Sequence, residues 1–342
     1  MKLLVRRAVL LASALCVIAP LVLFPACSDD SATPANQTPG LPSYEGKKIL
    51  FVHSYHQEFE WVEGIDNGVN SVLDNTSVEL KTIYMDTKRN PEEGFKEQAA
   101  LDAKSMIEEF DPDVVITADD NAFKYLVMPY YRDAEIPFVF CGVNWDISVY
   151  DGPCNNTTGM VEVGLVPQLI DYLAAYTNGD KIGFLGYESI SARKDATAYK
   201  DVFGIELAEL YITTFDEWKT AFLELQDEVD MLILHTPTYI EGWGVEQAQE
   251  FVVANTTLPT GTINEPMMPY ALLGVTKVAR EQGEWAARAA LQILDGTDPS
   301  DIPVAQNKQG KLMLNLDIAE KLDIAFDPIM LKNAKIYERG NP

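Results

Sequence analysis

The sequence is poor in basic residues, histidine and cysteine. It has 26 Lys and Arg against 52 Asp and Glu, three His and four Cys in 342 residues, with a formal net charge of −26 at pH 7. A protein that binds nucleic acid needs clustered Lys and Arg to neutralise phosphates, so this composition predicts no nucleic-acid partner. Such acidity is more typical of a solvated surface than of a cation-binding device.

The short motifs of common catalytic and metal sites are also missing. Neither HExxH nor CxxC occurs, no GxSxG surrounds any serine, and the GFLG segment at 183–186 lacks the third glycine of a dinucleotide fingerprint. His53 and His56 are three residues apart at a predicted strand end, where side chains diverge. We therefore expect no metal, no cofactor and no enzymatic activity, with a secreted hydrolase as the least favoured alternative.

Only one apolar run approaches the length of a membrane span, and it lies at the amino terminus. Three basic residues precede an apolar segment over residues 8–24, which is typical of an export signal. Cys27 closes this segment and resembles the lipid-modified cysteine of bacterial lipoproteins, although Phe24 and Pro25 depart from the usual pattern. We expect signal residues 1–26 and lipidation at Cys27; an uncleaved anchor or ordinary cleavage are the alternatives.

After the leader, residues 27–46 are rich in Ser, Asp, Thr and Pro, which predicts a flexible tether. Removing the leader leaves 23 basic and 52 acidic residues, a formal net charge of −29. Cys16 is removed with the leader, so if Cys27 is acylated, the thiols that remain in the mature chain are those of Cys141 and Cys154. In an oxidising compartment these two form either a disulfide or free thiols, buried or exposed, and the sequence leaves the choice open.

From Lys47 onward, short apolar runs alternate with amphipathic stretches. This rhythm predicts an α/β fold with parallel sheets covered by helices. The same pattern in both halves of the chain indicates two similar lobes. The predicted strands are 49–53, 78–84, 114–117 and 138–141 in the first half, 181–185, 205–211 and 231–235 in the second, and 311–316 near the end.

Polar and aromatic residues recur just after these strands, where ligands bind in open α/β sheets. Hydroxyls, amides, carboxylates and rings at converging loops suit a small, partly apolar organic ligand, and a carboxylate there could meet an amino group. The carboxylate pair after the third strand could equally cap a helix. The predicted ligand-binding residues are Ser54, Tyr55, His56, Trp61, Asp119, Asp120, Asn121, Asn144, Trp145, Tyr187, Glu188, His235, Thr236 and Tyr239.

Four segments make a family resemblance specific. The stretches ILFVHSYHQEFEWVEGIDNGV, ITADDNAFKYLVMPYYRDAEIPFVFCGVN, WAARAALQILDGTDPSDIPV and KLMLNLDIAEKLDI resemble the ABC-transporter substrate-binding family that includes tryptophan- and tyrosine-binding lipoproteins. They are also similar to extracytoplasmic sensor domains of histidine kinases and diguanylate cyclases. The resemblance runs from about Lys47 to Ile324. It implies a type I periplasmic-binding-protein fold, in which two Rossmann-like lobes joined by three crossovers close on a ligand.

This resemblance sets the expected domain boundaries and partners. We expect lobe 1 at 47–150, lobe 2 at 151–264, a return to lobe 1 at 265–300, and a final crossover and tail at 301–342. The implied function is capture of a small organic ligand, such as an aromatic or other amino acid, for an ABC permease. A stand-alone sensor for a kinase or cyclase is the alternative. Either would act outside the cytoplasm, at the membrane through the lipid anchor.

Overall fold

A computed structural model of the chain describes residues 44–236 and 240–337. The strands are β1 (Lys48–His53), β2 (Glu79–Tyr84), β3 (Val114–Ala118), β4 (Phe138–Asn144), β5 (Thr157–Glu162), β6 (Ile182–Tyr187), β7 (Ala208–Ile212), β8 (Met231–Leu234), β9 (Thr260–Thr262), β10 (Leu273–Lys277), β11 (Ala305–Gln306), β12 (Gly310–Asn315) and β13 (Lys335–Tyr337).

The α-helices are α1 (Glu60–Leu73), α2 (Glu93–Phe110), α3 (Asp119–Ala122), α4 (Met128–Tyr130), α5 (Val166–Ala174), α6 (Ile190–Phe203), α7 (Phe215–Glu228), α8 (Val245–Asn255), α9 (Ala279–Leu294), α10 (Leu316–Lys321) and α11 (Pro328–Asn333). A π-helical turn at Phe123–Val127 joins α3 to α4. In these described ranges, no helix is long and apolar enough to cross a membrane.

The strands form two sheets. The first has the order β11-β5-β4-β3-β1-β2, and all its pairs are parallel. The second has the order β13-β12-β10-β9-β8-β6-β7, in which only β10 and β12 run antiparallel. We call the first sheet with its helices lobe 1 and the second lobe 2; both belong to one compact unit. The predicted α/β class with two parallel-dominated sheets is confirmed.

Central strands are apolar throughout because helices cover both faces of each sheet. All five residues of β3 are buried, as are six of the seven residues of β4. In lobe 1, α1 and α9 pack on one face of the sheet. The other face is covered by α2 and the π-helical turn. These continuous runs are the reason the sequence pattern located β1, β3 and β4.

The helix that returns to lobe 1 is held there by glycines. A Cβ on Gly68 of α1 would lie 2.2 Å from the Arg280 carbonyl oxygen, and one on Gly283 of α9 would lie 2.0 Å from the Ile65 carbonyl oxygen. Only glycine permits two helix backbones to approach this closely. Residues 68 and 283, more than two hundred positions apart in the chain, therefore fix α9 onto α1.

The chain passes between the lobes three times. It crosses between β5 and α5, between β10 and α9, and between β11 and β12. Two of these crossings are tied together: the Val163 N–H donates to Asn307 Oδ1 at 2.7 Å, and Asn307 Nδ2 donates to the Val163 carbonyl at 3.1 Å. The Asn307 side-chain amide thus bonds to both backbone polar groups of Val163, as a neighbouring strand would. It satisfies these buried groups at the hinge.

The sheets place these crossings later than the expected boundaries at residues 150 and 264. Since β5 pairs with β4, lobe 1 continues to Glu162, and since β10 pairs with β9, lobe 2 continues to Lys277. The first sheet therefore has six strands where four were predicted. The strands that the sequence pattern missed in either sheet are short or rich in Thr and Gly. Examples are TTGMVE of β5 in the first sheet and TGT of β9 in the second. The leader, Cys27 and most of the tether lie outside the described residues.

Candidate ligand-binding site

The carboxyl ends of β1, β3 and β5 bring three acidic side chains around one hydroxyl. Burial raises the pKa of the Tyr55 hydroxyl, and the negative charges of Asp119, Asp120 and Glu162 raise it further. Tyr55 follows β1, the two aspartates begin α3 directly after β3, and Glu162 ends β5. Parallel strands end at one edge, which is why residues so distant in sequence meet here.

Asp119 is the most deeply buried of these acids, with 2% of its surface exposed. Its Oδ1 accepts a hydrogen bond of 3.0 Å from the Trp61 indole N–H, while its buried Oδ2 has no hydrogen-bond partner in the part of the chain that the structure describes. Burial raises its pKa well above the ordinary value, and Glu162 and Asp120 add to the rise. A carboxyl in this state takes up a proton or a cationic partner.

Backbone geometry adapts to this carboxyl. Asp119 itself has a positive φ of 66°, and Gly142 of β4 has a φ of 69°. A Cβ on Gly142 would lie 3.0 Å from Asp119 Oδ1, so a larger residue would press on the carboxylate. A positive φ at a residue other than glycine costs free energy and is typical of functional positions.

Among the described residues, the donors to the Asp120 carboxylate are neutral. The Tyr150 hydroxyl donates to Oδ1 at 2.8 Å, and Asn144 Nδ2 donates to Oδ2 at 2.5 Å. Burial raises the pKa of Tyr150, and the charge of Asp120 raises it further. These bonds tie the loop after β4 to the start of α3 and hold the Asp120 carboxylate in a fixed position.

Glu162 connects the two lobes. Its carboxylate forms an ion pair with Lys277, which ends β10 of lobe 2. Burial raises the pKa of Glu162, and the Lys277 ammonium opposes this rise. The same ammonium lies 5.9 Å from the centroid of the Trp61 ring. Lys277 is therefore a cation of lobe 2 that reaches this group of acids.

A second connection between the lobes runs through Asp195 of α6. The Trp145 indole N–H donates to Asp195 Oδ1 at 3.1 Å, and His235 Nε2 lies 3.1 Å from Asp195 Oδ2. Trp145 has a positive φ of 62°, and its ring lies 5.7 Å from that of Tyr199 in lobe 2. His235 Nδ1 is buried and has no hydrogen-bond partner within residues 44–236 and 240–337. A lobe 1 tryptophan and a lobe 2 histidine thus share one carboxylate.

Several other predicted residues have partners within their own lobe. Ser54 is fully buried, donates to the Ala118 carbonyl at 2.6 Å and accepts from the Ala122 N–H at 2.8 Å, so it anchors α3. Asn121 donates to Thr87 at 2.9 Å. The Ser54 hydroxyl thus fixes the start of α3, and with it Asp119 and Asp120.

The remaining predicted residues are more peripheral. His56 Nδ1 lies 3.7 Å from Asp86 Oδ1. Glu188 is exposed and forms two bonds of 2.6 and 2.5 Å with Arg193, a surface ion pair. Tyr187 and Thr236 are half-buried at the ends of β6 and β8. Tyr239 lies outside the described residues.

Glu162, Lys277, Asp195 and Tyr150 were not predicted from the sequence. The first two end strands that the pattern did not reveal. Asp195 lies inside α6, where an acidic residue is most often solvated, and Tyr150 lies in a short 3₁₀ helix. The one sequence feature that marks Glu162 is its position as an acid directly before the Val-Gly-Leu segment that leads into the first crossing.

The two cysteines do not form the disulfide that was one expectation. Both are free: Cys141 is buried in β4, and Cys154 Sγ lies 3.6 Å from Met128 Sδ. Phe138 pairs with Thr157 and Cys141 with Met160, so Cys154 lies beyond the amino end of β4. Cys141 lies three residues into β4, about 10 Å from Phe138 at the start of the strand, at 3.3 Å per residue. The sheet register thus separates the two thiols.

Across residues 44–236 and 240–337, no group of three or more His, Cys, Asp or Glu side chains is arranged to hold a metal ion.

Comparison with known proteins identifies relatives by family and by fold. The family model described as ABC transporter substrate binding protein matches residues 58–337. The ligand-free, open structure of a substrate-binding protein with adhesive properties from Clostridium difficile has a TM-score of 0.66 at 16% identity, covering 85% of this chain and 99% of that chain. No curated protein matches the sequence significantly.

Two further solved structures share the architecture. A periplasmic ribose ABC transporter protein from Conexibacter woesei DSM 14684 has a TM-score of 0.52 at 16% identity, covering 83% of this chain and 96% of that chain. An ABC transporter solute-binding protein from Bradyrhizobium sp. BTAi1 has a TM-score of 0.53 at 13% identity, covering 84% and 90%. At these identities the likeness shows the fold.

Proposed function

The chain belongs to the family of ABC transporter substrate-binding proteins, and from this premise we propose that it captures a small organic ligand between its two lobes and delivers it to an ABC permease. Members of this family bind small ligands and work with ABC permeases. The observation that carries the proposal is a pair of contacts between the lobes. Glu162 of lobe 1 forms an ion pair with Lys277 of lobe 2, and Trp145 of lobe 1 donates a hydrogen bond to Asp195 of lobe 2.

These contacts place a polar, aromatic-lined set of strand ends from both sheets against one another. A site between two such faces removes ligand surface from water when the lobes close and pairs ligand polar groups with fixed protein partners. From lobe 1 the lining includes Tyr55, Trp61 and Asp119, and from lobe 2 it includes Tyr187 and His235. The aromatic side chains favour a ligand with an apolar or aromatic portion, such as an aromatic amino acid or a related metabolite.

Isothermal titration calorimetry with a panel of amino acids and aromatic metabolites tests this proposal. We expect at least one compound to bind, and we expect Tyr55→Ala and Tyr187→Ala each to weaken it about tenfold, because each removes one wall of the site. Lys332→Ala, an exposed residue of α11, is the control. Unchanged affinity in both tyrosine variants would place the site elsewhere.

We also propose that the mature chain is held at the membrane by acylation of Cys27. The support is the leader sequence, with its basic start, apolar run and terminal cysteine. Cys27→Ala should shift the protein from the membrane fraction to the soluble extracytoplasmic fraction. A variant that remains in the membrane fraction with residues 1–26 still attached would show that the leader itself is the anchor.

A further inference from the structure

The acids of the candidate site outnumber the cations that reach them. Asp119, Asp120, Glu162 and Asp195 of α6 lie near enough to one another where the lobes touch to interact electrostatically, and Lys277 pairs with Glu162. His235 lies against Asp195. Within the described residues, Asp119 and Asp120 accept hydrogen bonds from neutral groups only.

A second ammonium, that of Lys88, contacts aromatic rings of this site from its exposed side. Lys88 lies over the rings of Tyr55 and Phe59, with its Nζ 4.9 and 4.1 Å from their centroids. It is exposed, and its positive charge lowers the pKa of Asp119 against the larger rise that burial causes. Arg193 on the lobe 2 side is taken up by Glu188. Lys88 forms no ion pair within the described residues, but it is exposed, so a ligand carboxylate would find no buried Lys or Arg that lacks an acidic partner here.

One acceptor in this group has no donor among the residues that the structure describes. Asp119 Oδ2 is buried and has no hydrogen-bond partner, although Oδ1 of the same carboxyl is fixed by Trp61 at 3.0 Å. A buried carboxylate oxygen without a donor costs several kcal/mol unless it is protonated or paired. A protonated amine would supply both the missing donor and the missing positive charge.

The rings around the acids suit the same kind of group. Tyr55, Trp61 and Tyr150 come from three different segments of lobe 1 and adjoin Asp119 and Asp120. Trp61 is already within 5.9 Å of the Lys277 ammonium. Aromatic faces attract cations through their quadrupole, most strongly where water is excluded.

We propose that the ligand is an organic cation, a small molecule with a protonated amino or guanidinium nitrogen and no compensating carboxylate, whose nitrogen is received by Asp119 between Trp61 and Tyr55. This inference rests on the proposed capture of a ligand between the lobes. It narrows that function because a zwitterionic amino acid would bring a carboxylate into a group that already has more acids than cations.

The test uses matched compounds that share a ring and differ in charge. Tryptamine is the cation, tryptophan the zwitterion, tryptophol the neutral isostere and indole-3-propionate the anion; tyramine, agmatine and spermidine extend the cation set. Binding to the mature protein is measured by calorimetry. We expect at least one cation to bind, and an indole or phenol cation to bind at least tenfold more tightly than its zwitterionic or neutral counterpart.

Two variants assign the effect to one carboxyl. Asp119→Asn keeps an oxygen that accepts from Trp61 but removes the charge, so we expect it to weaken cation binding at least tenfold. Asp216→Asn, an exposed acid at the start of α7, makes the same chemical change elsewhere and should leave the affinity unchanged. Circular dichroism and thermal unfolding of each variant verify that it is folded.

The outcomes separate this inference from the function on which it rests. Tight binding of tryptophan, tryptophol or indole-3-propionate that Asp119→Asn leaves intact would overturn the cation proposal while supporting ligand capture. If no compound binds and no small molecule is released on denaturing protein purified from its native envelope, both the inference and the proposed function fail.

Discussion

The Trp61 indole nitrogen donates to one oxygen of Asp119 at 3.0 Å, while the other oxygen of that buried carboxyl has no partner among the described residues. The structure therefore fixes the Asp119 carboxyl in position but leaves the hydrogen-bonding capacity of one of its oxygens unused. In a binding protein, such a group is an unfavourable feature of the empty state that a suitable ligand relieves.

The first prediction is that Asp119→Asn stabilises the ligand-free protein at neutral pH. Burial raises the pKa of Asp119, so the folded protein holds the proton more tightly than the unfolded chain. Stability from this group is then complete below its ordinary pKa of about 3.9 and is lost as pH rises to the raised value. Asparagine mimics the protonated form, and we expect its melting temperature to exceed that of the native protein by about 2–4 °C.

Thermal unfolding at about pH 4 and about pH 7.5 measures this effect. The gap between Asp119→Asn and the native protein should be small at the lower pH and larger at the higher one. Glu162, also buried with a raised pKa, titrates in both proteins and cancels in the comparison to first order. Equal melting temperatures at both pH values would show that Asp119 is not desolvated.

The second prediction concerns the ion pair between Glu162 and Lys277. Lys277→Met keeps the apolar stem but leaves the Glu162 carboxylate without its cation, and we expect a loss of about 2 kcal/mol in the free energy of unfolding. Adding Glu162→Gln to that variant should recover much of the loss. Urea unfolding measures the native protein, both single variants and the double variant, with Lys219→Met as the control because its partner Asp216 is exposed on the same helix. Additive single effects would mean that the pair does not couple the lobes.

The third prediction is that the bond from Trp145 to Asp195 favours the closed form. Trp145→Phe retains an aromatic ring against Tyr199 but removes the N–H donor. A hydrogen bond to a charged acceptor is worth about 1.5 kcal/mol or more, so the population should shift about tenfold toward an open form. Small-angle X-ray scattering should show a larger radius of gyration than for Trp285→Phe, a matched change on α9. Identical scattering curves would remove Trp145 from the account of closure.

The fourth prediction follows from the separation of the thiols. Half-buried Cys154 should react with a maleimide in the folded protein, whereas Cys141 should react only after unfolding because burial both shields it and raises its pKa. Peptide mapping after labelling distinguishes the two. Labelling of Cys141 at the rate of Cys154 in the native state would contradict the buried position of β4.

The fold was predictable where burial leaves a continuous apolar pattern. Strands β1, β3 and β4 are such runs, and the residues after them, including Asp119 and Asp120, could be located for that reason. Strand β5 was missed because Thr157, Thr158 and Gly159 do not form an apolar run. Its last residue, Glu162, was missed with it.

Side-chain direction was the second gap. Ser54 and Glu188 both follow strands, as a ligand-binding residue would, yet Ser54 bonds inward to the start of α3 and Glu188 outward to Arg193. Asp195 shows the reverse case, because an acid within a helix gives no sequence signal that it faces the other lobe. Local pattern identifies the strand end, but tertiary packing decides which side chains meet there.

Native mass spectrometry of the mature protein purified from its own cell envelope tests the central claim most directly. If the chain captures a small organic ligand between its lobes, a fraction of the native protein should carry one bound molecule, and that adduct should be missing or much reduced in Asp119→Ala and unaffected in Lys332→Ala. An adduct retained in full by Asp119→Ala, or a native protein that neither carries a molecule nor acquires one from the compound panel, would contradict it.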